Sequence, residues 1–194
     1  MRIFVAVDME GISGITLAEQ VRRTEPQYQA GRRYMTWDAN ACAEGCFNAG
    51  ADEVVVWDAH GGGFNMVWDD IHPRAQLRQG RRDAGRMADI GEFDALILLG
   101  YHAMAGTETA VLEHTMSSAS WQNFWINDRK AGEFAIDAGI AGDAGVPCIM
   151  ASGDDKLCAE AAEWIPGIHT AQVKQALSCF GAQFLSKEDA HRLI

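Results

Sequence analysis

"RIFVAVDMEGISG", residues 2–14, joins an unbroken apolar run to two acids and two glycines. Ile3 to Val7 lack the alternation of a half-exposed strand, so the run reads as a central strand of a parallel sheet covered on both faces. Side chains two apart on extended chain share a face. Asp8 and Glu10 are therefore expected to project together just beyond the strand's carboxyl end. Two close carboxylates without a cation repel each other and want a partner. The plainer reading has Asp8 capping a turn and Glu10 facing solvent, so the rest of the chain has to decide.

Outward from this stretch, strands alternate with helical patterns. The first strand is expected over Arg2–Asp8, the second over Glu53–Asp58 ("EVVVWD"), the third over Asp94–Gly100 ("DALILLG") and another over "VPCIMAS". A helix is expected over Trp37–Ala49, with Thr36 as N-cap, Gly50 just past its end, and Ala39, Cys42, Ala43, Cys46 and Phe47 on one face. "WQNFWINDRKAGEF" reads as a β-hairpin turning at Asn127-Asp128. Helices follow over Glu133–Gly145, from Asp154 to Trp164, and in "SKEDAHRLI" with Ser186 as N-cap. Asp154 and Asp155 are expected as caps of their helix. The pattern predicts an α/β three-layer sandwich with a mostly parallel sheet plus a β-hairpin. No repeat, low-complexity tract or linker divides the chain, so residues 1–194 are expected to form a single domain.

Bulk properties narrow the partners. The 194 residues carry 27 acids against 16 lysines and arginines, a net charge of −11, which argues against nucleic acid or an anionic membrane surface. Arg32-Arg33 and the cluster from Arg78 to Arg86 are broken by acids and glycines and read as solvated faces. No apolar run approaches the ~20 residues of a membrane span, and the chain opens directly on a strand rather than a leader. The five cysteines form no CxxC pair and most sit in core-like segments, which suggests reduced thiols in the cytoplasm.

In α/β sheets ligands bind beyond the carboxyl ends of the strands. Those ends read Asp8-Met9-Glu10, Asp58-Ala59-His60 followed by three glycines, Gly100-Tyr101-His102, and, after the hairpin, Gly132-Glu133. Four segments thus bring three carboxylates besides Asp58, and two histidines, to one edge. Imidazole and carboxylate are the ligands that borderline divalent ions prefer, zinc above all. Five are too many for one tetrahedral catalytic zinc and suit two metals if one carboxylate bridges. Three carboxylates and a bridging hydroxide would balance two Zn²⁺. Such a site brings the pKa of a bound water towards neutrality and polarises a carbonyl, which is the chemistry of metal-assisted hydrolysis. Bland readings stand beside this one: a histidine after a strand is commonly solvated, and Glu133 suits a helix N-terminus. Gly61–Gly63 fit a flexible loop or an anion cradle without matching a dinucleotide fingerprint.

"VDMEGISG", "VVVWDAH", "LLGYHAMAG", "EHTM", "WINDRKAGE" and "ASGDD", in this order and spacing, resemble the DppA-type zinc D-aminopeptidases from residue 1 to the last residues. The resemblance implies a dinuclear zinc site with Asp8, Glu10, His60, His102 and Glu133 as ligands and His114 as the catalytic side chain. It implies release of N-terminal D-amino acids, D-alanyl above all, from short peptides by a metal-activated hydroxide, and a ring-like homo-oligomer. Two departures stand out: Ala6 occupies a position where family members commonly carry Ser, and the family pattern continues beyond residue 194. "EHTM" is expected on a strand, where His114 could equally be a satisfied structural residue. Asn127 could orient substrate, although a tight turn explains it as well. The rival readings are a dinuclear hydrolase of another amide or a phosphoester, with Gly61–Gly63 as cradle, and a non-catalytic ligand-binding domain. No GxSxG, P-loop or HExxH points elsewhere.

Overall fold

Alternate residues of the opening strand feed two separate cores: Ile3, Val5 and Val7 pack on one side, Phe4 and Ala6 on the other. All five side chains are buried. Covering a residue such as Phe4 contributes about 1.5–3 kcal/mol, so Val5→Asp would break the sheet at its centre. The computed structural model describes residues 1–80 and 84–194. In chain order the strands are β1 (Arg2–Val7), β2 (Glu53–Asp58), β3 (Gln76–Arg78), β4 (Ala95–Leu99), β5 (Trp125–Ile126), β6 (Arg129–Lys130), β7 (Cys148–Asp154), β8 (His169–Ser178) and β9 (Gly181–Phe184). The helices are α1 (Ala18–Val21), α2 (Tyr28–Asn48), α3 (Glu133–Asp143), α4 (Asp155–Trp164) and α5 (Lys187–Leu193).

Seven strands form one sheet in the order β3-β2-β1-β4-β7-β8-β9, parallel except for β9. β1 is central, paired in parallel with β2 and β4. Met35, Ala39, Cys42 and Ala43 of α2 pack on one face; Phe134 and Ala141 of α3 and Leu157 and Ala161 of α4 pack on the other. The architecture is the expected three-layer sandwich. The β5–β6 hairpin stands apart, and Asn127 and Asp128 take φ of 49° and 64° at its turn. That conformation is what a two-residue hairpin turn asks for. Ser186 caps α5 as expected, accepting from the Asp189 N–H at 3.1 Å, and Asp154 caps α4.

Several expectations need correction. α2 begins at Tyr28, well before the expected Trp37, and Thr36 lies inside it, donating its hydroxyl to the Arg32 carbonyl at 2.8 Å. Gly31 disguises the early start, because glycine disfavours helix interiors. It is there because a Cβ would strike the Gln20 carbonyl of α1. "EHTM" is not a strand: Leu112 and Met116 have φ of 51° and 59°, which no ladder accommodates. Arg78 and Arg86 are not simply solvated; they pair with Asp89 and Asp137. Arg81 and Arg82 of the same cluster lie outside the described residues. β3, β8, β9 and α1 were not anticipated.

Candidate metal centre

β1 stops at Val7, and its extension is bound to the end of β4 through the main chain. The Asp8 N–H donates to the Leu99 carbonyl at 2.9 Å and the Gly11 N–H to the Gly100 carbonyl at 2.8 Å. A Cβ on Gly11 would collide with the Tyr101 carbonyl; one on Gly100, whose φ is +70°, would collide with Asp8 and Ile12. The two glycines let the segments that carry Asp8, Glu10 and His102 touch backbone to backbone. The loop after β2 is organised by buried Asp58, which accepts from Asn65 Nδ2 at 2.7 Å and also from the Asn65 and Met66 N–H groups. His60 stands at its start. Glu133 opens α3, where the helix dipole favours an anion.

These segments converge. His60 Nδ1 lies 2.9 Å from Asp8 Oδ1 and 3.2 Å from Glu10 Oε2. His102 Nε2 lies 3.4 Å from Asp8 Oδ2 and 3.3 Å from Glu133 Oε1. Asp8 thus offers one oxygen to each half of the cluster. His114 joins the second half: its Nε2 is 3.5 Å from Glu133 Oε1, and its ring stacks on His102 at 4.0 Å. All six residues singled out from the sequence meet here. They form two groups able to hold an ion, Asp8, Glu10 and His60 in one and His102, His114 and Glu133 in the other.

The second nitrogen of each imidazole is held by a main-chain carbonyl. His60 Nε2 donates to Val21 at 3.1 Å, His102 Nδ1 to Ala103 at 3.0 Å, and His114 Nδ1 to Leu112 at 3.0 Å. That arrangement turns the remaining nitrogen of each ring, with its lone pair in the neutral form, towards the carboxylates. It is the usual support of a metal-binding histidine. Glu10 Oε2 and His102 Nε2 are buried without an aligned hydrogen bond despite their close neighbours. Two orphaned donor atoms at the centre of an acid–imidazole cluster fit a pair of divalent ions.

Without metal, the cluster balances itself with protons. Burial disfavours a charge on Glu10, yet the neighbouring histidines, His60 foremost, hold its carboxyl well below the usual range. Burial likewise opposes the Glu133 carboxylate, and His102 more than compensates. Burial disfavours the His60 imidazolium, but Glu10 and Asp8 raise its pKa well above the ordinary value. Against the same penalty, Glu133 and Asp8 lift His102 to about 10.

A cleft of about 400 Å³ opens over the centre, walled by His60, His114, Arg22, Glu113 and Phe180. A smaller cavity of about 240 Å³ lies behind Gly61–Gly63. Among the described residues the arginines that line it, Arg78 and Arg86, pair with Asp89 and Asp137.

Some supporting residues were missed from sequence. Asp137 is fully buried and accepts from Tyr101 Oη at 2.5 Å and from Arg86 Nε and Nη2 at 2.5 and 2.6 Å. It pins α3 to the end of β4. Its spacing of four from Glu133 puts both acids on one helix face, which was the available signal.

Comparison with known proteins agrees with this geometry. A family model described as D-aminopeptidase, peptidase family M55, matches residues 1–194. A D-aminopeptidase of Bacillus subtilis (strain 168) is 39% identical over 196 residues, an alignment that covers 100% of this chain and 71% of that protein. The solved structure of the Zn-dependent D-aminopeptidase DppA from Bacillus subtilis, described as a self-compartmentalizing protease, matches with a TM-score of 0.94 at 38% identity. That match covers 100% of this chain and 70% of the other. With sequence, fold and the converging acid–imidazole cluster in agreement, this chain belongs to the M55 family of D-aminopeptidases.

Proposed function

We propose that this chain is a zinc-dependent aminopeptidase that releases N-terminal D-amino acids, of the D-alanyl type, from short peptides. The observation that carries the reading is the pair of facing triads, with Asp8 between them and an orphaned buried donor atom in each half. Asp8, Glu10, His60, His102 and Glu133 would hold two Zn²⁺. When bound, the ions supply Lewis acidity towards the scissile carbonyl and a water of lowered pKa.

The chain's own side chains do the rest. His114 has its Nδ1 committed to the Leu112 carbonyl, so Nε2, beside Glu133 and facing the cleft, is the atom that carries a proton towards the leaving amine. The acidic lining, Glu10 and Glu113 included, suits the free ammonium of a peptide's amino end. The loop anchored by Gly11 and Gly100 keeps Asp8 and Glu10 from drifting during turnover. Residues 1–194 would form a catalytic α/β domain, acting in a homo-oligomer of the self-compartmentalizing kind described for the Bacillus structure. Five free thiols support a reducing, cytoplasmic setting. Among the described residues no helix is long and apolar enough to cross a membrane.

The test is metal content after zinc loading and desalting, followed by hydrolysis of matched D-alanyl and L-alanyl dipeptides. Two zincs per chain and selective cleavage of the D-peptide are expected. A folded protein that retains no metal would sink the reading.

A further inference from the structure

Lys174 is fully buried on β8, yet among the described residues no carboxylate forms an ion pair with it. Lysine is almost never sealed in a core without a countercharge, and the acids that favour this one, Asp154 first, then Asp38 and Glu10, act on it without forming an ion pair. Here its three ammonium protons go to three main-chain carbonyls, Glu10 at 2.6 Å, Ile12 at 3.0 Å and Ile15 at 2.7 Å. All three belong to the loop that leaves β1 with the acids. An ammonium has three donors and no acceptor, so the set is complete.

The strand is built to deliver it. Along β8 the buried positions run Ala171, Val173, then Lys174 and Ala176, a change of phase at Val173–Lys174. The register against β7 shifts at the same place, Gln172 facing Gly153 and Lys174 facing Asp154. The irregularity turns a residue of solvent type inward, directly beneath the loop. β8 itself contributes none of the six site residues.

We propose that Lys174 is a positioning residue for the metal centre: by gathering the Glu10, Ile12 and Ile15 carbonyls it fixes the Glu10 main chain and so aims the Glu10 carboxylate at His60 and at the ion the two would hold. The inference rests on the metal-centre reading given above. Apolar replacement leaves three buried carbonyls without a donor, and the loop must turn to rehydrate them. The carboxylate leaves its position with the backbone that bears it. Residues that orient metal ligands typically change metal affinity by about 10–100-fold when lost.

The experiment measures zinc affinity by chelator competition, and the absorption spectrum of the cobalt-substituted protein, for the wild type, Lys174→Met, Lys174→Arg, Glu10→Gln and the Glu10→Gln/Lys174→Met double variant. Folding is followed by circular dichroism. Lys174→Met is expected to fold, bind zinc about 10–100-fold more weakly and show an altered cobalt spectrum, with Lys174→Arg recovering part of both. In the Glu10→Gln background the Lys174 change should cost little more, because both act through one ligand. Unchanged affinity and spectrum in Lys174→Met, or full additivity with Glu10→Gln, overturns the proposal. Loss of fold in both Lys174 variants also overturns it, in favour of a structural role. A wild type that binds no metal refutes the metal-centre reading instead.

Discussion

The carboxyl ends of β1, β2 and β4 carry acids and imidazoles that face one another; next in the same sheet, Asp154 at the end of β7 and Lys174 midway along β8 are charges whose hydrogen bonds, among the described residues, go to main chain. Asp154 accepts from the Val111, Lys156 and Leu157 N–H groups, at 2.9, 3.1 and 2.8 Å. Lys174 donates to three carbonyls. The first group is built for chemistry and leaves donor atoms orphaned; the second is saturated and shapes the loops that bear Glu10 and His114. Between these two regions, the orphaned atoms lie in the metal centre and the fully bonded charges lie beneath it.

That contrast can be broken most forcefully at Asp8. Asp8→Ala removes the residue shared by the two halves, and both ions should be lost. Activity should fall by more than the ~10²–10³-fold typical of removing one electrostatic catalytic group; elemental analysis and dipeptide turnover check it. His114→Ala sharpens the contrast within the site. Turnover should drop about 10²–10⁴-fold, as for loss of a general acid–base group, while the zinc content stays at two. Zinc loss in that variant would make His114 a ligand instead.

On the supporting side, Arg86→Leu strands the fully buried Asp137. Breaking a buried pair in this way costs about 3–5 kcal/mol, to be read by urea denaturation of the metal-free protein.

A subtler test uses pH. In the metal-free protein His102 has its pKa raised to about 10, so its contribution is complete below the unfolded value near 6.5 and is lost as pH rises through 10. Glu10 and Glu133 are depressed, so theirs is present above about 4.5 and lost on acidification. The melting temperature of the metal-free protein should peak between these limits. Because zinc must displace the imidazolium protons, the gain in melting temperature on adding zinc should grow from pH 5 to 8. Smallest of all, Ser186→Ala should cost about 1 kcal/mol by removing the cap of α5, leaving zinc affinity unchanged.

The legibility of the sequence divides along the same line. The centre could be read because its parts are short and local: an apolar run stops and an acid or histidine follows, as at Asp8, His60 and His102. The hairpin turn at Asn127-Asp128 and the cap at Ser186 were equally local. β8 could not be read, since its alternation changes phase at Val173–Lys174 and a lysine in a strand ordinarily means solvent. The start of α2 was hidden by Gly31, whose reason is a tertiary contact with α1. His114 is singled out by resemblance and lies beside Glu133 and His102, but its segment is not the expected strand: nothing in "EHTM" announces positive φ at Leu112 and Met116. Ligands are chosen for chemistry and show themselves one at a time, whereas supports are chosen for what lies across the fold.

The Gly11–Gly100 contact has a consequence for which ions the centre can accept. Peptide groups, rather than side chains, fix the interval between the segment of Asp8 and Glu10 and that of His102. A side chain can change rotamer to suit a larger or smaller ion; two backbones joined at 2.8 Å cannot part without breaking that bond. Exchange of one ion for another at this centre should therefore be absorbed by the side chains of Asp8, Glu10 and His102 rather than by a parting of the two loops.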